Sequence, residues 1–299
     1  MKKSRKLDLP LDLQLDLFDK LIKPVLLYGS EVWAFAPLGE CDKTQLRYLK
    51  LILNVKKSTP TCMVLGELGC LPVSLDAKCR TLCFWYNLFL QYKEGKNKIS
   101  ILLFRLANAL YGDTEVKIPW LHNIKTLLDN LGLSYIWDFQ CNYSALGFKK
   151  LVKQRLTDQY YQTWKQNVYE NSICTSYRIF KEEHKFEKYL IDLPIAHRNN
   201  ILKFRLSCHR LPIQKQRYLN IDRNDRLCDL CDKQELGDEF HYLFNCSNAI
   251  ISDNRKRLLP RYFQHHPNIL KLHQLLNTKS KKCLLNVSRF VKVIFDVVK

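Results

Sequence analysis

Glycine is scarce, with nine in 299 residues. So small a supply disfavours barrels and sandwiches, whose tight turns call for residues free to take positive φ, and it leaves no Gly-rich loop to cradle a phosphate. Long apolar stretches are missing too. The longest runs, such as residues 84–90, fall far short of the roughly 20 apolar residues that a bilayer crossing needs. The chain opens on MKKSRK, followed by acidic and alternating residues in place of an apolar stretch. No signal peptide and no membrane segment are therefore expected, and the expected compartment is intracellular and reducing, in the nucleus or a cytoplasmic ribonucleoprotein. No repeat with a period of about 20–50 residues appears, and no low-complexity tract beyond the basic ends. Nowhere do two aspartates stand side by side.

What is present is charge of one sign. Forty-eight Lys and Arg against 29 Asp and Glu give a net charge of +19 and a pI near 9.4, far beyond what solubility needs. A polyanionic partner, most simply RNA or DNA, explains the excess. Hydrophobic residues make up 46% of the chain, enough for real cores, and the length leaves room for two domains of ordinary size. With twelve cysteines in a reducing compartment, most thiols are expected free and buried. The fold class that follows is all-α.

One stretch organises the rest. Residues 226–248, RLCDLCDKQELGDEFHYLFNCSN, carry Cys228, Cys231, His241 and Cys246 in the order C-x2-C-x9-H-x4-C. Zinc takes four thiolate or imidazole ligands in a tetrahedron, and a C-x2-C turn lets two sulfurs converge while backbone N–H groups support them. Asp238 and Glu239 suit the start of a short helix continuing through residues 240–244. On an ideal helix His241 and Cys246 stand about 140° apart, so the helix must fray or end at Cys246 for its thiolate to turn inward. Four ligands leave no open position, and the expected role is one structural Zn2+. The bland alternative is a chance grouping in a cysteine-rich chain.

Along the chain, residues 8–20 alternate Leu with polar residues as a strand would, yet Leu11, Leu15, Phe18 and Ile22 also keep helical spacing. A helix is the choice, capped by Asp8 and bent or split at Pro24. Residues 41–54 read as a helix with Lys43, Arg47 and Lys50 on one face, extended by Lys56 and Lys57; such a stripe is either a solvated face or a phosphate contact. Further helices are expected over 61–68, ending at Gly69, and over 73–92, 99–110, 120–131 and 144–169. The last repeats an apolar residue at every fourth position from Phe148 to Val168, so its stripe winds around the helix and meets different neighbours at its two ends. Residues 177–189 are loosely helical. A helix over 195–209 carries Arg198, Lys203 and Arg205, and Arg210, Lys215 and Arg217 lead from it into the cysteine stretch. These are the best candidates for a nucleic-acid surface, against the alternative of a charged face that binds nothing. His265, His266 and His273 lack cysteine or carboxylate partners at matching spacing, and Cys283 has no histidine base nearby.

Residues 17–33, LFDKLIKPVLLYGSEVW, resemble the segment just after the palm in the reverse transcriptase of non-LTR (LINE-type) retrotransposons, where the thumb begins. QLRYLK at 45–50, KSTP at 57–60 and GELG at 66–69 keep the resemblance, and the cysteine stretch is similar to the C-terminal cysteine/histidine motif of many such proteins. The likeness spans about residues 7–262. It implies a thumb remnant followed by a zinc-bearing region, with the stripe on 43–57 lying along a template–primer backbone.

Polymerases hold two metal ions on paired carboxylates, in this family within an aromatic-x-Asp-Asp box, and the chain has none. The expectation is a binding module without catalysis, an irregular multi-helix assembly with a small zinc module in its C-terminal half. Its segments are a thumb-like region (1–93), a helical connector (94–194), the basic helix with the zinc module (195–260) and a helical tail (261–299). A zinc-stapled protein-interaction module with an acidic partner, or a decayed reading frame without selected activity, are the other readings.

Overall fold

Proline punctuates the fold. Pro60, Pro72, Pro194 and Pro260, all with φ between −55° and −59° and extended ψ, each stand immediately before a helix, where a missing N–H costs nothing. The computed structural model of the chain describes residues 9–35, 38–111, 118–138 and 143–298. Its helices are α1 (Leu11–Leu17), α2 (Lys23–Leu26), α3 (Ser30–Trp33), α4 (Gly39–Leu53), α5 (Thr61–Leu68), α6 (Val73–Lys93), α7 (Ile99–Tyr111), α8 (Pro119–Asn130) and α9 (Ser134–Asp138). They continue with α10 (Ala145–Glu170), α11 (Tyr177–Phe180), α12 (Tyr189–Asp192), α13 (Ile195–Arg205), α14 (Pro212–Lys215), α15 (Ala249–Leu258), α16 (Arg261–Gln264), α17 (Ile269–Leu276) and α18 (Lys281–Val297). No strand forms among the described residues; two isolated bridges join Leu68 to Phe186 and Leu227 to Leu236. The chain is all-α. No helix among the described residues is long and apolar enough to cross a membrane.

Two compact units form. Unit 1 takes the described residues of Met1–Leu15, Leu46–Cys70 and Trp164–Lys299; unit 2 takes those of Asp16–Gln45 and Leu71–Thr163. Both are discontinuous in sequence, so this division in space differs from four consecutive segments. Residues 93–98, the polar run KEGKNK that the sequence offers as a boundary, lie within unit 2 at the join of α6 and α7.

In unit 2, α6, α7, α8 and α10 meet in an aromatic core. Tyr86 stacks on Phe148 at 4.1 Å and Trp85 on Trp137 at 5.4 Å, and the Tyr86 hydroxyl donates to the Tyr143 carbonyl at 2.8 Å. Leu82, Leu121, Ile124, Leu128 and Val152 close this core, each burial contributing roughly 1.5–3 kcal/mol. Around Pro24, α1 passes into a π turn (Phe18–Ile22) before α2 restarts with Pro24 in its first turn. The break is the one the imino acid dictates, since it offers no N–H to the preceding turn. The expected cap Asp8 lies outside the described residues.

In unit 1, α13 and α15 pack on α18, and α11 packs on α17. Leu284, Val287, Phe290, Val291 and Ile294 of α18 are buried at helical spacing. The winding stripe of α10 behaves as its period demands. Phe148, Val152 and Leu156 join the core of unit 2, while Trp164, in unit 1, donates its indole N–H to the Cys62 carbonyl at 2.8 Å.

The segment 177–189 departs from the expected loose helix. Only α11 is helical there, and residues 181–188 run irregularly, with Glu187 N donating to Glu67 O at 3.0 Å. There the backbone is tied to α5, where Leu68 bridges Phe186 and the Glu67 side chain is wholly buried in a polar cluster. Its carboxylate accepts from Arg205 Nε at 2.5 Å, Tyr189 Oη at 2.6 Å and Tyr177 Oη at 3.2 Å. Arg205 Nη1 also donates to Leu276 O at 2.9 Å, and Lys181 pairs with Glu187. Burial pushes the Glu67 carboxyl up, but Arg205 and Lys181 outweigh it and hold the group below the usual carboxylate range. The glycines beside it serve close approach: a Cβ at Gly66 would meet the Trp164 ring at 2.8 Å. Gly69 ends α5 at φ +60° with Phe186 N only 2.5 Å from where its Cβ would stand.

Candidate metal centre

The cysteine stretch folds as a knuckle and a widened helical turn. Leu227 bridges Leu236, Cys228 N donates to Glu235 O at 2.9 Å, and the turn between carries Cys228 and Cys231. Asp238 caps the following helix through its Oδ1, which accepts from His241 N at 2.9 Å. The backbone then opens into a π turn, His241–Asn245, in which Cys246 N donates to His241 O at 2.8 Å. An i to i+5 turn carries residues five apart toward the same side, where an α-helix would hold them about 140° apart. The chain ends this turn at Cys246 (φ −55°, ψ 126°), and the thiol turns inward as the spacing required.

The ligand atoms of Cys228, Cys231, His241 and Cys246 lie within 4.8 Å of one another, with Cys228 Sγ 4.0 Å from Cys246 Sγ and Cys231 Sγ 3.4 Å from His241 Nε2. Tetrahedral coordination at ordinary bond lengths asks for about 3.8 Å between sulfurs and about 3.5 Å from sulfur to nitrogen. The set can hold a metal ion. The backbone N–H of Leu230 donates to Cys228 Sγ at 3.5 Å, the kind of support that thiolates need. His241 Nδ1 faces Glu235 Oε2 at 2.9 Å, which fixes Nε2 as the ligating nitrogen, and Asn245 Nδ2 donates to the same Oε2 at 3.1 Å. Arg255 locks the turn from behind, donating from Nε to Leu243 O at 2.8 Å and from Nη2 to Cys246 O at 2.9 Å.

Hydrogen bonding between Cys228 and Cys246 outweighs burial and favours loss of one proton from the pair, the other being shared between the two sulfurs. Burial opposes charge on His241, but Cys228 and Glu235 raise the imidazole to about 9. A divalent cation takes the place of such shared protons, so binding releases them. No coordination position remains for a substrate, and the centre is suited to a structural ion.

The module is anchored to the basic segment before it. Ile213 N donates to Gly237 O at 3.2 Å, and Arg226 Nη1 to Ile213 O at 3.2 Å. Buried Glu239 accepts from Ser176 Oγ at 2.7 Å, Ser207 Oγ at 3.0 Å and His209 Nε2 at 2.8 Å. His209 is thus a hydrogen-bonded core residue.

Two of the basic groups named from sequence come together. Lys56 Nζ donates to His209 O at 3.4 Å, and Thr59 Oγ1 lies 2.9 Å from Cys208 Sγ. These contacts bring Lys56 and Lys57, both exposed, to the segment carrying exposed Arg210 and Lys215 and half-buried Arg217. Lys50 lies half-buried beside them, its Nζ donating to Lys57 O at 2.6 Å, and Arg47 is exposed one turn earlier on α4. Lys43, in unit 2, pairs with Glu40 at 2.7 Å. Arg198 is half-buried, donating to Leu190 O at 3.1 Å, and Lys203 is half-buried on α13. Arg205 does not belong to the surface: it is fully buried against Glu67, a partner 138 residues away that local spacing does not reveal.

Sequence reasoning passed over Glu235, although a carboxylate inside the x9 spacer is a signal that could have found it. Arg255 reads in the sequence as one cation of a basic amphipathic helix over 248–259, and its hold on the turn has no local signal. Comparison of the chain with protein-family models, curated proteins and solved structures finds no match to any of them.

Proposed function

We propose that the chain is a zinc-stabilised nucleic-acid-binding module, a C-terminal piece of a non-LTR retrotransposon reverse transcriptase protein that lacks the polymerase palm and binds without catalysing. The observation that carries the binding is the junction of residues 50–59 with 208–218, which gathers Lys56, Lys57, Arg210, Lys215 and Arg217 next to the metal module. Cations held on one face displace condensed counterions from a phosphate backbone, giving affinity without sequence readout. Three thiolates and an imidazole form a donor set that suits zinc over the hard cations, and zinc there supplies folding energy. The retrotransposon part of the reading rests on the motifs YGSEVW, GELG and C-x2-C-x9-H-x4-C.

The test is fluorescence anisotropy with a labelled duplex across a salt series, on protein whose zinc content is measured by elemental analysis. One zinc per chain is expected, with log affinity falling by about 0.9 per phosphate neutralised. Lys56→Ala with Lys57→Ala is expected to flatten that slope by about 1.8. Binding insensitive to salt, or none at low salt, overturns the reading.

A further inference from the structure

The basic face of unit 1 carries an aromatic side chain that packing does not explain. Tyr218 lies in the 3-10 turn Gln216–Leu219, which Asn220 closes in the left-handed region at φ +57°. It is 59% exposed, although a tyrosine gains stability chiefly by burying its ring. The ring nevertheless has a cation against it. The Arg217 guanidinium lies 5.0 Å from its centroid, and Ser58 and Arg217 hold the phenol below the usual tyrosine range. Lys56 adds to that positive surround.

Resting on the binding function proposed above, we infer that Tyr218, backed by Arg217, is a stacking platform for a base of single-stranded nucleic acid, with Lys56, Lys57 and Lys215 taking the phosphates on either side. A base in a duplex has both faces covered by its neighbours, whereas a single strand presents them. A ring carried on an ordered turn and backed by a guanidinium loses little freedom when a base settles on it. Every base has a π face, so the platform accepts RNA and DNA alike and reads no sequence. A purely apolar protein partner is disfavoured by the cations that surround the ring.

Fluorescence anisotropy with oligothymidylate, oligouridylate and a duplex of the same length tests this. Tyr218→Ala is expected to weaken binding of both single strands roughly 5- to 100-fold, the range that loss of one stacked base gives. Tyr218→Trp retains it, and duplex binding changes less than about twofold. Tyr218→Leu, which keeps apolar bulk without a π face, behaves as alanine. In the wild-type protein, 2-aminopurine placed within oligothymidylate changes its fluorescence on binding, a readout that needs no variant to fold. Single strands bound equally by wild type and Tyr218→Leu, while Lys56→Ala weakens both, would remove the platform and leave the binding function standing. No binding of any of the three probes at low salt would remove both.

Discussion

Replacing Glu67 with glutamine takes one charge out of the interior of unit 1 at nearly constant volume. In the native protein Glu67 and Glu187 offset Arg205 and Lys181, so the buried group is neutral. Glu67→Gln leaves it with an excess positive charge around a guanidinium that has no exposure at all. Removing one partner of a buried pair costs about 3–5 kcal/mol. Arg205 keeps its bonds to Leu276 and Asn277, and the amide still accepts from one tyrosine, so the lower end, about 3 kcal/mol, is expected. That is a large part of the roughly 5–15 kcal/mol that holds a domain folded. In urea unfolding followed by far-UV ellipticity, a slope of about 2 kcal/mol per molar turns the loss into a midpoint shift of about 1.5 M. The control Glu183→Gln, which breaks an exposed pair with Lys185, leaves the midpoint where it was. Adding Arg205→Met to Glu67→Gln restores part of the loss, because the orphaned charge goes with it. A loss below about 1 kcal/mol for Glu67→Gln, or a double variant less stable than both singles together, would refute the account.

Other expectations follow from the same contacts. Because the Glu67 carboxyl is held below its ordinary value, the stability it contributes is present above about pH 4.5 and is lost as pH falls through the lower folded value; Glu67→Gln should flatten that acid limb in a pH series of urea midpoints. Cys228→Ser is expected to abolish hydrogen-exchange protection near residues 195–260 while α6, α8 and the rest of unit 2 keep theirs, and uniform protection would contradict a structural ion. Glu235→Gln should weaken metal affinity about 10- to 100-fold in competition with a chromophoric chelator, because the bond that orients His241 loses its charge. Gly69→Ala combines a left-handed conformation with a Cβ 2.5 Å from Phe186 N; thermal unfolding should register a loss of about 2–4 kcal/mol.

What could be read in the sequence was local. The prolines placed the starts of α5, α6 and α13, Gly69 placed an end, and the four-residue repeat of α10 foretold that its two ends meet different cores. The ligand order of the cysteine stretch gave its geometry because all four residues fall within one knuckle and one turn. The π turn was legible only as a conflict, a histidine and a cysteine on the wrong sides of an ideal helix, and the backbone resolved it by widening before it ended. Pairings across long separations were out of reach. Arg205 looked like one more cation on a basic helix, and Glu67 like part of a turn, until the fold set them 2.5 Å apart. The irregular stretch after α11 was out of reach for the same reason, since its backbone partners are Glu67 and Leu68, far earlier in the chain.

The positions of the surface cations depend on that interior. A lysine on a flexible tail must give up its own freedom and that of the chain when it meets a phosphate, which offsets much of the attraction. The segment from Ser207 to Tyr218 is in a different situation. Glu239 grips it through Ser207 and His209, the cysteine module through Ile213, and residues 56–59 through His209 and Cys208. Its backbone is already ordered before any ligand arrives, so only side-chain freedom remains to be lost by Arg210, Lys215 and Arg217. The same argument gives the metal its role at a distance: loss of the ion releases Gly237 and Glu239, the two residues that hold this segment from one side. On the binding function proposed above, removal of the ion is then expected to weaken binding through lost order in the cationic segment, with none of the four cluster residues itself a phosphate contact.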